Sequence, residues 1–175
     1  MPHLSKALRA ATAAVVTGSF AFAGAATAAA DPTNTGSSAD INTLAATLSK
    51  GYGLNNCTAG NLDAGELAVL TCGQSPDPSG PVQARYILFN NADNLAGSFK
   101  TSIKDDVLTA CGDAGQSPTT WHQGSNNANS GSVACGTYQN AAEIIWTTDA
   151  KNVLGLIRGS NNDVPALYQW WRANG

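Results

Sequence analysis

Histidine is nearly missing from this 175-residue sequence: there are two, His3 and His122. Glutamate is as scarce, at Glu66 and Glu143 alone, and charged residues make up 12% of the chain. These shortages exclude several chemistries. A zinc site needs clustered thiolate or imidazole ligands, and the four cysteines show no C-x-x-C spacing, so no metal and no cofactor are expected. A Ser-His-Asp site would have to use His122, and no G-x-S-x-G turn accompanies it. No glycine-rich phosphate loop follows a strand and opens a helix, and 47–50 begins with Thr47 where S-x-x-K needs serine. No catalytic residue is assigned.

Lys6 and Arg9 precede "ALRAATAAVVTGSFAFAGAATAAA", a short run of small and apolar residues that closes on Ala28-Ala29-Ala30. That pattern reads as a secretory signal peptide over residues 1–30. It is too short and too rich in Ala, Gly and Thr for a spanning helix, and no second hydrophobic run follows. The mature chain then starts near Asp31, with "DPTNTGSS" (31–38) as a flexible polar linker and 39–175 as one globular domain. Without Lys6 and Arg9, seven basic residues face twelve acidic ones, a net charge of −5. Such a surface does not attract nucleic acid or anionic lipid.

Cys57, Cys72, Cys111 and Cys135 all lie in the mature part, an even count that reads as two disulfides in an exported protein. Of the three pairings, Cys57–Cys72 with Cys111–Cys135 is favoured, since each closes a short segment.

Apolar spacing predicts a helix through Ile41, Leu44 and Leu48, capped by Ser38 or Asp40. Strands are predicted over 66–72 and 82–89, then a helix capped by Asn90 or Asn91 with Leu95, Phe99 and Ile103 on one stripe. Further strands are expected at 119–123, 132–136 and 141–148, with helices at about 150–158 and 163–172. Residues 85–99 and 143–157 look alike, each following a Cys-Gly and sharing Ala92/Ala150, Asn94/Asn152 and Gly97/Gly155. Two strand–strand–helix repeats would build an antiparallel sheet covered by helices, an α+β fold.

Binding residues are sought among the aromatics. On a strand, Trp121 faces inward and His122 outward. In the last helix Val164, Leu167, Tyr168 and Trp171 form the inward face, and Trp170 sits at its border with its N–H in water. Trp170, Trp121, His122 and the polar loop 124–131 are therefore the contact residues of a binding surface. The mature chain has no membrane span, and its partner is an envelope or host component, or another protein. Two other readings stay open: a wall hydrolase using Glu66, Glu143 or an Asp, and a secreted protease inhibitor presenting the 74–81 loop "QSPDPSGP" beside Cys72.

"RYILF" with "NLAGSF", then "SPTTW", "VACG", "IIWTTDAKNVLGLI" and "ALYQWW" resemble a domain of actinobacteria, mycobacteria especially. It occurs there as small exported proteins, and a similar domain forms the extracytoplasmic, sensor-like end of some membrane-bound serine/threonine kinases. The resemblance spans residues 50 to 172, with Trp146-Thr147 and Asp149 and the terminal Leu167-Tyr168 and Trp170-Trp171 as its landmarks. It implies a free sensor or envelope-binding module and carries no catalytic residues across.

Overall fold

The structure, a computed structural model, describes residues 34–124 and 128–175. The signal peptide expected over residues 1–30 lies outside the described residues, as do 31–33 of the linker and 125–127 of the polar loop. In chain order the elements are α1 (Ser38–Ala45), β1 (Cys57–Ala59), β2 (Glu66–Cys72), β3 (Gln83–Phe89), α2 (Ala92–Ser102), β4 (Val107–Thr109), β5 (Thr119–His122), β6 (Asn129–Tyr138), β7 (Ala141–Thr148), β8 (Val153–Arg158) and α3 (Val164–Asn174). All eight strands join one antiparallel sheet, ordered β1-β2-β3-β8-β7-β6-β4, with β5 also paired to β6. The fold is α+β, as the pattern of elements requires.

The central strands are buried on both faces. In β7, Ile144 and Trp146 point into one layer and Ile145 into the other, the alternation a pleated strand imposes. α1 and α3 cover the first layer through Leu44, Leu167 and Trp171, and α2 covers the second with Leu95 and Phe99. Each helix starts on a side-chain cap that satisfies an otherwise orphan N–H: Ser37 for α1, Asn91 for α2 and Asp163 for α3. The cap of α1 thus lies one residue before the earliest position expected. Asn34 to Ser38 are not a loose linker, because the Asn34 carbonyl accepts from Leu62 N–H and Gly36 packs on the Leu67 carbonyl.

The second helical repeat is not there. Residues 150–158 hold a 3-10 turn (Asp149–Lys151) and then β8, inserted between β3 and β7. Asn152 takes a left-handed conformation (φ +51°) that ends the turn and starts the strand. β8 is buried on both faces, whereas α2, at the matching place in the first unit, has a polar outer face. Local likeness lost to the need for a strand between two sheet halves. Gly155 is what lets that strand fit: it pairs with both Tyr86 and Trp146, and the Trp146 indole lies across it where a Cβ would stand. Tyr86 and Trp146 then meet edge to face at 5.9 Å over the glycine.

Two disulfides stitch the edges. Cys57–Cys72 ties the short β1 to β2, and Cys111–Cys135 ties the segment after β4 to β6. Such bonds persist in an oxidising compartment. No helix among the described residues is long and apolar enough to cross a membrane.

Candidate functional site

β5 is a four-residue strand lying along β6. Its pairing shifts between Trp121 and His122, with the extra residue, Ser130, on β6. Both residues line one recess, as do Thr119 and Thr120 before them, although Trp121 is half-buried and His122 exposed. The recess has a volume of about 450 Å³, and its other wall is α3, through Tyr168, Gln169, Trp171 and Arg172.

The floor is a rigid aromatic cluster. Trp121 Nε1 donates to the Thr147 carbonyl at 2.8 Å, which holds the ring against β7. It meets Trp171 edge to face at 5.5 Å, and Trp171 stacks on Tyr168 at 5.5 Å. Trp171 also touches Trp146 at 5.7 Å, so the floor continues into the core. Rings packed this way add about 0.5–1.5 kcal/mol per pair beyond their buried area. His122 Nδ1 lies 3.0 Å from the Ala128 carbonyl, so in the neutral ring Nδ1–H donates there and Nε2 remains an acceptor. No carboxylate orients this imidazole among the described residues, so a charge-supported general base is not assembled here.

One polar atom in the floor is unsatisfied. Trp171 Nε1 is buried, the residue being 2% exposed, and it has no hydrogen-bond partner among the described residues. A buried donor left unpaired costs about 1–3 kcal/mol.

Trp170 does not belong to this recess. It is 6% exposed, and its Nε1 donates to Asp77 Oδ2 at 2.9 Å beneath the 74–81 loop. Its N–H is therefore not in water, as the border position in the helix had suggested. The loop it holds is braced further by Ser75 N–H on the Pro81 carbonyl and by the Tyr52 hydroxyl on the Gly73 carbonyl. Donation from Ser79 N–H, then from its hydroxyl and from Trp170, holds the Asp77 carboxyl below its ordinary range. Of the polar loop 124–131, residues Asn129 to Gly131 are the first part of β6, and Gly124 borders the recess.

The two glutamates lie far apart. Glu66 pairs with Phe89 at one end of the sheet, and Glu143 pairs with Arg158 at the other, three strands away. Strand spacings put them on the order of 20 Å apart, beyond the ~5–10 Å that sugar hydrolysis needs. Glu66 is engaged locally, accepting from Asp63 N–H. Glu143 forms a 2.7 Å ion pair with Arg158. Burial pushes its carboxyl up, Asp106 adds to that, and Arg158 opposes both. Asp106 is half-buried, and burial and the neighbouring Asp105 raise it as well, with Arg158 opposing. Neither Glu143 nor Asp106 borders the recess.

A second recess of about 760 Å³ runs along α2 past Leu95, Phe99 and Pro118. The polar groups at its end already satisfy one another, with Thr147 Oγ1 accepting from Ser132 N–H and donating to Asp149. The first recess, with aromatic rings and a few polar side chains in its walls, has the composition of a ligand site. Among the described residues no group of three or more His, Cys, Asp or Glu is placed to hold a metal.

Comparison of the chain with protein-family models, curated proteins and solved structures finds no match in any of the three.

Proposed function

We propose that the protein is an exported, non-catalytic domain that binds or senses a cell-envelope or host component through the recess between β5 and α3. The observation that carries this reading is the aromatic floor of the recess, where Trp121 and Tyr168 pack on Trp171 beside exposed polar side chains. Export is supported by the pattern of residues 1–30, with cleavage near Ala30, and by two disulfides. The similarity to sensor-like actinobacterial domains points the same way.

The test is tryptophan emission and melting temperature of the protein titrated with peptidoglycan, wall glycan and lipid fractions. A saturable shift with a raised melting temperature is expected for one fraction, and Trp121→Phe should reduce it. Emission unmoved by every fraction would overturn the assignment.

The braced 74–81 loop favours a second reading, a protease inhibitor. It is exposed at Pro76 to Ser79, sits beside the Cys57–Cys72 bond and is pinned from below by Trp170. A panel of serine and cysteine proteases checks it: inhibition abolished by Asp77→Ala supports it, and a panel left wholly active excludes it.

A further inference from the structure

Two opposite charges border the β5–α3 recess without meeting. Arg172 lies on α3 with its guanidinium 6.0 Å from the centre of the Tyr168 ring. Asp113 sits in the 3-10 turn Gly112–Ala114 that closes the same recess. That turn rests directly on Tyr168: a Cβ on Gly112 would stand 2.6 Å from the ring, so only glycine lets the backbone come so close. The two ion pairs among the described residues are Lys104–Asp105 and Arg158–Glu143, and neither includes Arg172 or Asp113. The rings of Trp121 and Trp171 line the same recess.

We infer that the recess binds a small zwitterion, a free amino acid with an apolar side chain, and this rests on the binding function proposed above. The ligand carboxylate meets Arg172, its ammonium meets Asp113, and its side chain lies on the aromatic floor. A simple anion would gain Arg172 and face Asp113, and a simple cation would meet the reverse. Only a ligand carrying both charges satisfies both walls. A volume near 450 Å³ falls in the lower part of the ~300–1,000 Å³ range of small-molecule sites, which suits one amino acid better than a polymer.

The experiment is isothermal titration of the full chain with three probes of one shape: phenylalanine, 3-phenylpropionate and phenethylamine. Phenylalanine should bind saturably, and each single-charge analogue about ten-fold or more weaker, because it forfeits one charge-assisted contact. Arg172→Gln should weaken phenylalanine about ten-fold and leave phenethylamine no weaker, and Asp113→Asn should do the converse with 3-phenylpropionate. Both side chains are exposed, so the variants should melt as the parent does. Equal binding of the three probes, or indifference to both substitutions, overturns the zwitterion. If phenylalanine is inert while a wall fraction still shifts Trp121-dependent emission, the ligand class falls and the binding function stands. If neither acts, both fall.

Discussion

Replacing Arg158 with methionine should destabilise the protein by about 3 kcal/mol at pH 7, and the penalty should shrink as the pH falls. The side chain of Glu143 is 7% exposed and that of Arg158 is 23%, with 2.7 Å between Nη1 and Oε1. Arg158 also donates to the Tyr138 carbonyl at 3.1 Å and lies 5.6 Å from the Tyr138 ring centre. Removing one partner of a buried pair costs about 3–5 kcal/mol, and the partial exposure of Arg158 argues for the lower figure. In a domain of this size that corresponds to a fall in melting temperature of roughly 6–12 °C. The pH dependence follows from linkage. Glu143 holds its proton more tightly when folded than unfolded, through burial first and Asp106 second, and losing Arg158 removes the one influence opposing them. Wherever the folded state binds more protons, stability falls with rising pH. The window opens at the unfolded glutamate value, about 4.3, and extends up to the raised folded value. Once Glu143 is protonated, little charge is left to abandon, so the deficit at pH 4 should be well below that at pH 7. Urea titrations of parent and variant at pH 4, 5.5 and 7 measure it. A deficit independent of pH would refute the reasoning and leave only lost packing by the arginine stem.

Other expectations concern the frame of the site. Gly155→Ala drives a methyl group into the Trp146 indole and should cost about 1–3 kcal/mol in chemical denaturation. Removing either disulfide by paired Cys→Ala substitution, Cys57 with Cys72 or Cys111 with Cys135, should cost on the order of 3 kcal/mol, read as a drop in melting temperature that reductant no longer deepens at that bond. Trp170→Phe keeps an aromatic ring but loses part of the indole and the hydrogen bond to Asp77. It should cost about 1–3 kcal/mol and speed amide exchange within the 74–81 loop, with Trp121-dependent ligand shifts unchanged.

Much of the architecture is legible in local pattern. The run "ELAVLTC" became β2 with the predicted bounds, and residues 141–148 became β7, because strands buried on both faces need continuous apolar runs and little else. Asn91 and Asp163 cap helices that their neighbours' spacing had already marked. Pairing neighbours in sequence also located both disulfides, since each bond closes a short segment within or beside a single pair of strands.

The remainder depends on contacts between residues far apart in the chain, which no local window contains. Residues 150–158 carry a helical spacing as good as that of α2, and became a strand because the sheet had a vacancy between β3 and β7 that Gly155 alone let them fill. Trp170 and Trp171 are adjacent, yet a helix turns 100° per residue, so one indole reached Asp77, 93 residues away, and the other reached Trp121. His122 joined Trp121 in one recess because α3 packs across β5 and closes a wall opposite both. Composition and spacing thus mark most of the secondary elements and the bonds between cysteines. Which tryptophan is wet, which carboxylates meet and where a ligand can lie are settled by long-range packing, because each is a property of two surfaces brought together.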